Sequence, residues 1–507
     1  NFTTATNTYN VAVGRSAGAA VTTGIENTLI GALAGDALTD ADENTAVGLG
    51  ALSADTLGSK TTAIGRGALL SQNFTTATDT YNTAVGYFAG LSVTTGVANT
   101  LIGGLAGDAL TDADYNTAVG FSSLTSDTLG SRSTALGYFA LKTQNFTTAT
   151  DAYNTGLGFA AGEAITTGVE NTLVGGLAGD ALTDADYNVA VGVQALGSDT
   201  LGSRSTALGY WSLKTQNFTS ATDAYNTAVG FAAGQVITTG VQNTFIGGLA
   251  GDATTTASNN TAVGKSSLTV NTTGASNTAV GENALAANTT ASYNTAVGGA
   301  SLDANTTGTE NVAVGYAALG SNTTANDNTA VGYVSQTATT TGASNASFGA
   351  YSFDANTTGD QNTALGTSAL SANTTADNNT AVGYRSLYVN TTGTANVAVG
   401  QNALSANTTA GNNTAVGAGS LDATNTTGSN HTAVGRDALL VSTAGGYDTA
   451  IGDSVLKANT SGNYNTGVGA SALAANTTGG TNTAVGYASL TANTTAEHNT
   501  AVGQNSL

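Results

Sequence analysis

Asn294-Thr295-Ala296-Val297-Gly298 is followed by Gly-Ala-Ser-Leu-Asp-Ala-Asn-Thr-Thr-Gly-Thr-Glu and then returns as Asn311-Val312-Ala313-Val314-Gly315. This is a 17-residue unit, and a fixed period of this size marks a repeat architecture. Aligned on the closing glycine, 29 units run from Gly14, Gly31 and Gly48 through Gly298 and Gly315 to Gly503. Glycine fills that slot every time, and Asn leads 24 of the 29 units, Asn294, Asn311 and Asn328 among them.

Gly, Asn and Thr recur too often for helix, and no 3.6-residue apolar stripe survives in the unit. Two short strands per turn are expected, near Thr295–Val297 and near Gly299–Leu302. Asn305-Thr306-Thr307-Gly308 then turns the chain, because Asn and Gly accept left-handed corners while Thr favours extended backbone. Stacked turns set each Ala296-type side chain about 4.8 Å above the last. Small Ala and medium Val or Leu fill a narrow interior, and the leading Asn column forms a ladder of amides. The expected fold is all-β, a parallel β-solenoid or β-roll of 29 short rungs. Its glycine slot is a backbone position that only Gly tolerates.

A second period lies over the first. Asn1-Phe2-Thr3 returns at Asn73, Asn145 and Asn217, a 72-residue interval built from spacings of 17, 17, 17 and 21. Leu29, Leu101, Leu173 and Phe245 replace the inward Ala once per block, and Thr61, Ser133 and Ser205 replace the leading Asn. The chain therefore divides into a zone with this super-repeat, 1–254, and a zone of plain 17-residue repeats, 255–507. It begins at Asn1 and contains no methionine, so a processed chain or a piece of a longer one is expected.

Composition excludes several function classes. With 32 acidic against 11 basic residues the net charge is -21, and the concentrated basic surface of a nucleic-acid binder is missing. The same sign opposes docking on anionic lipid, and no run approaches 18 consecutive apolar residues, so no membrane insertion is expected. Cysteine is absent, which removes disulfides and thiolate chemistry. Proline is absent too, and the 67 glycines lack a three-residue period, so the chain is not collagen.

The stretch Asn294–Gly298 with Gly299-Ala300-Ser301-Leu302 resembles the head repeats of trimeric autotransporter adhesins, whose core is of the Ser-Val-Ala-Ile-Gly type; Ala63-Ile64-Gly65 and Ala450-Ile451-Gly452 come nearest. Asn-Thr-Ala-Val-Gly-Tyr also resembles repeat regions of phage tail fibres. The resemblance implies a left-handed β-roll, a parallel homotrimer, and a structural fibre at a cell surface or on a virion that contacts a glycan or receptor. It implies no catalysis. The adhesins' anchor, stalk and chaperone domains have no counterpart in these residues.

Several residues carry candidate chemistry. Asp36, Asp40 and Asp42 recur as Asp108, Asp112 and Asp114, a set of oxygen donors for calcium or simply solvated turn formers. No other cofactor is expected. Tyrosines follow the glycine at Tyr87, Tyr138, Tyr210 and elsewhere, as corner packing or as a carbohydrate-stacking stripe, with Trp211 beside Tyr210 marking a local binding spot. Asn271, Asn288, Asn305 and their equivalents to Asn493, Asn425 included, are in-phase Asn-x-Thr glycosylation acceptors, with Asn1, Asn73, Asn145 and Asn217 as a further set. His431 and His498, the only histidines, lie four units apart and read as repeat variation rather than a metal pair. Paired threonines such as Thr306-Thr307 raise an ice-binding face as a minor alternative. No Ser–His pairing suggests a triad, and polar side chains repeat without converging, so an enzyme is not expected.

Overall fold

The computed structural model describes residues 7–422 and 428–507. No helix occurs among them, and the chain is an all-β parallel β-solenoid. It forms two compact units, Asn1–Asn259 and Asn260–Leu507. The first holds fourteen three-residue strands, from Val11–Val13 to Thr244–Ile246, and the second fifteen, from Thr261–Val263 to Thr500–Val502. Within each unit the strands pair in parallel with a shift of one repeat: Thr295 faces Val312, Ala296 faces Ala313 and Val297 faces Val314. Across a 21-residue turn the register is unchanged, Thr62 facing Thr83, so the four extra residues bulge outside the ladder. That bulge makes its own short pairing, Gly58–Ser59 with Thr78–Asp79, and tucks Phe74 inward.

The glycine slot is constrained from two directions. Gly298 has φ 137°, where L side chains are strained, and a Cβ built on it would sit 2.6 Å from the carbonyl carbon of Gly315 in the next turn. Backbones touch here, so no side chain fits at all.

Past the glycine the structure departs from the expected second strand. Gly299–Leu302 is a turn segment in which residues alternate between left- and right-handed backbone, with Ala300 at φ 52° and Leu302 at φ 49°. The alternation aims successive N–H groups at opposite neighbours. Ala300 donates back to Glu282 at 2.9 Å and Leu302 forward to Ala318 at 3.0 Å. A left-handed non-glycine residue costs about 1–2 kcal/mol. Here both N–H groups are satisfied, and burying the leucine returns about 1.5–3 kcal/mol.

The interior of a second-unit turn contains Ala296, Ser301 and Leu302 together with the amides of Asn294 and Asn305, all essentially inaccessible. The first unit solves the same space differently. Leu29 occupies an Ala slot, and the preceding turn and its own turn carry Gly18 and Gly35 at the position of Leu302; a Cβ on either would approach a Leu29 methyl to 2.8 Å. Volume is exchanged across turns, as close packing requires. The corner column, Asn305 in the second unit, reads Val21, Leu38, Asp55, Gln72 in the first and repeats with the 72-residue period. Interior packing thus accounts for the long period.

Candidate functional site

Repeated columns, rather than a pocket, carry the chemistry of this chain, and the leading asparagines are the first. Asn294 accepts from the backbone N–H of Asn311 at 3.0 Å and donates its amide to the Gly308 carbonyl at 2.8 Å. Its main bonds are therefore to backbone, joining a turn to its successor and closing its own corner. Amide-to-amide bonds, expected for this column, occur along it too, Asn311 Nδ2 donating to Asn294 at 3.2 Å, and the corner column makes them as well. There Asn305 donates to Asn288 at 3.0 Å and to Gly308 at 2.9 Å.

That arrangement corrects the glycosylation reading. Asn271, Asn288 and Asn305 are fully buried, and their amide nitrogens are spent on Gly274, on Asn271 with Ala291, and on Asn288 with Gly308. The folded turn leaves no room for a sugar on them. Asn73, Asn145 and Asn217, in the bulges, are exposed. Asn1 and Asn425 lie outside the described residues.

Where the leading column loses its Asn, a buried cluster takes over. Ser133 stands in that slot, and Gln144 reaches it at 2.9 Å, donates to Asp127 at 2.6 Å and accepts from Asn154 at 2.9 Å. Asp127 also accepts from the backbone N–H of Gly130 at 3.0 Å and of Phe146 at 3.1 Å. The cluster recurs as Asp55–Gln72–Thr61 and Asp199–Gln216–Ser205. Burial pushes the Asp199 carboxyl up, against the hydrogen bonds from Gln216 and three backbone groups. Each cluster fastens a bulge to the ladder, and a carboxylate so fully hydrogen-bonded inside the protein is structural in form.

His431 and Asp448 also occupy the leading column, in adjacent turns, with wholly inaccessible side chains. His431 Nε2 lies 2.9 Å from the Gly445 carbonyl, and Nδ1 lies 3.5 Å from Asp448 Oδ2. Burial drives the imidazole down to about 4 and the carboxyl up to about 7. His498 is exposed and has only Glu497 nearby, at 3.9 Å.

The aspartate clusters do not converge. Asp40 accepts from the Thr23 hydroxyl, Asp42 from the Ile25 N–H at 2.8 Å, and Asp36 stands apart and partly buried. Asp112 and Asp114 repeat this with Thr95 at 2.6 Å and Val97 at 2.8 Å, while Asp108 accepts from Thr125. Among the described residues no three His, Cys, Asp or Glu side chains gather as a metal site would require.

Tyr210 is 42% exposed and stacks on Phe231 with centroids 5.7 Å apart. Trp211 is held by its neighbours, donating to Gln194 at 2.8 Å and lying 4.2 Å beneath the Lys214 ammonium. In the preceding block Phe121, Tyr138 and Phe159 form a similar exposed stack at 5.6 and 5.7 Å. These aromatics stack on one another between successive turns.

The broadest feature is the strand face. Its inward residue is small in all but the four strands with Leu or Phe there, and its outward residues are the first and third of each strand. The third is Val, Ile, Leu or Phe in every three-residue strand, a column that includes Ile30, Ile64, Ile102 and Leu136 in the first unit and Val297, Phe348 and Leu365 in the second. These remain exposed, Ile102 by 38% and Leu365 by 48%. The first is mostly Thr. No helix among the described residues is long and apolar enough to cross a membrane. No protein-family model matches the chain, and no curated protein matches it.

Proposed function

We propose that this chain is the shaft of an extracellular structural fibre, adhesin-like or a matrix filament, that associates with copies of itself and performs no catalysis. The observation that carries the reading is the outward column of Val, Ile, Leu and Phe on the strand face. A stripe of outward Val, Ile, Leu and Phe side chains, exposed at some rungs and partly exposed at the others, exceeds what a lone soluble chain ordinarily leaves uncovered. A second copy in parallel presents the same column at the same rise, so the two stay in register over many turns. Three copies meeting through these columns make a parallel homotrimer with an apolar axis. The paired tyrosines and polar turns then remain outside, free to contact a cell-surface glycan or receptor.

Sedimentation equilibrium tests the assembly. The native chain is expected to sediment as a trimer, and Val314→Lys with Leu365→Lys, placing charge on the shared face, to shift it toward monomer. A native chain that stays monomeric at tens of micromolar overturns the reading. A virion tail-fibre shaft is the alternative owner of the same structure, and immunogold labelling of cells and virions separates the two.

One further reading has its own support. Thr295 and its equivalents hold the first outward position of most strands, giving a regular Thr-x-Val sheet rather than the Thr306-Thr307 corner considered from sequence. An ice-binding solenoid needs that face uncovered, so a monomer showing thermal hysteresis would establish it in place of the fibre.

A further inference from the structure

The first unit contains a recess beside the turns that carry Gly50 and Gly67. It has a volume of about 270 Å³, walls of Leu33, Leu49, Leu70 and Phe88, and Arg66 at its edge. Its floor is Gly50 and Gly67, both left-handed and both two residues past the glycine slot. It lies around the corner from the strand face, on the segment that follows the glycine slot.

The 72-residue repeat supplies internal controls for this slot. In the second block Ser122 and Phe139 replace Gly50 and Gly67, and Lys142, in the Leu70 position, lies 3.9 Å over the Phe139 ring. The third block has Gln194 and Trp211 there, bonded to each other, with Lys214 over the indole. Both copies therefore fill the slot with a ring and cap it with a cation. In the first block Phe88 leans over Gly67 from the following turn, within 2.5 Å of where its Cβ would be. Above Gly50, by contrast, only one Leu70 methyl approaches, at 3.2 Å. The space above Gly50, which the other blocks give to Ser122 and Gln194, is left open.

Charge narrows the occupant. Arg66 replaces Tyr138 and Tyr210 of the other blocks and lies 5.8 and 5.7 Å from the Tyr87 and Phe88 rings. It makes no ion pair among the described residues, whereas Arg132, Arg204 and Arg436 each bind an aspartate. No carboxylate lines the recess. A planar guanidinium beside an apolar slot matches a carboxylate on a ring, bidentate to the arginine and apolar beyond it.

We propose that this recess binds a small aromatic carboxylate, the ring lying over Gly50 and the carboxylate on Arg66. A ligand of about a dozen heavy atoms with one charged contact is expected to bind with a dissociation constant on the order of 1 mM.

The test is isothermal titration of the full chain with 2-naphthoate at low salt. One saturable site per chain is expected. Gly50→Gln installs the residue that the third block carries at the same left-handed backbone, so the fold is retained and the site is filled; binding is expected to vanish. Arg66→Tyr, again a residue of the other blocks, is expected to weaken 2-naphthoate about tenfold and to leave neutral 2-naphthamide unchanged. Absence of saturation up to about 10 mM 2-naphthoate overturns the proposal. So does unchanged binding in Gly50→Gln, which would place the ligand elsewhere, on the aromatic stacks for example.

Discussion

The His431–Asp448 pair makes a prediction whose sign differs between two single substitutions. Burial is the first cause of both shifts, and neither group's shift arises from the other. Each shift should therefore survive removal of the partner. His431, pushed down to about 4, is neutral in the fold and protonated in the unfolded chain below about 6.5, so its share of stability is lost as pH falls from about 6.5 to about 4. Asp448, pushed up to about 7 from an ordinary 3.8, is protonated in the fold and ionised in the unfolded chain, so its share is lost as pH rises through that window. In the native protein both states hold one proton across most of this range, and the slopes cancel.

His431→Asn leaves the aspartate alone, and local stability should fall by about 3 kcal/mol between pH 4 and pH 7. Asp448→Asn leaves the histidine alone, and stability should rise by about 3 kcal/mol between pH 4 and pH 6.5. Both substitutions restore the residue usual in this column, so the turns are retained. Long repeat arrays do not unfold as one unit, so the readout is the opening free energy of peptides spanning 428–465 by amide hydrogen exchange, corrected for intrinsic rates. Opposite slopes in the two variants and a flat native profile are expected. Slopes of the same sign, or flat profiles in both variants, would refute the assignment.

Three other outcomes follow from the geometry. Gly298→Ala should destabilise its own and adjacent turns by at least about 3 kcal/mol, while Gly299→Ala, whose Cβ comes no nearer than 3.5 Å to any neighbour, the Tyr316 ring, should be nearly neutral; limited proteolysis compares them. Gln144→Leu should strip the amide from buried Asp127 and open the bulge at 145–151, costing about 2–4 kcal/mol by hydrogen exchange of that segment. Expressed in a host that glycosylates folded chains, the protein should carry sugar at Asn73, Asn145 or Asn217 and none at Asn271, Asn288 or Asn305, as peptide mass spectrometry will record.

Rung register was legible because the one glycine that closes every repeat is a backbone requirement, visible without knowing any contact. The inward Ala of Thr295–Val297 was legible for the same reason, since side chains alternate along a strand. Gly299–Leu302 misled because alternating left- and right-handed residues reproduce the two-residue spacing of a strand, and Ala300 and Leu302 carry no turn signal. The acceptor motif at Asn305 reports a local tripeptide and is blind to the neighbouring turns that bury it. The column Val21, Leu38, Asp55, Gln72 was readable in principle. Tabulating each repeat position down the chain would have paired Gln72 with the missing Asn at Thr61. The recess at Gly50 was not legible, because Phe88 enters it from the following turn.

The two kinds of interior column set different rules for how the gene can lengthen or shorten the protein. In the second unit most corner positions are Asn, and where Asn follows Asn each bonds to an identical neighbour, so one such repeat can be duplicated or deleted without orphaning a partner. In the first, Asp127 needs Gln144 one turn on, and Gln144 needs Asn154 beyond the bulge. Cutting at any single turn there severs a set. Recombination can change that segment safely only in steps of four turns, while the other tolerates steps of one. Natural variants of this chain should therefore differ in length by whole four-turn blocks in the first region and by single turns in the second.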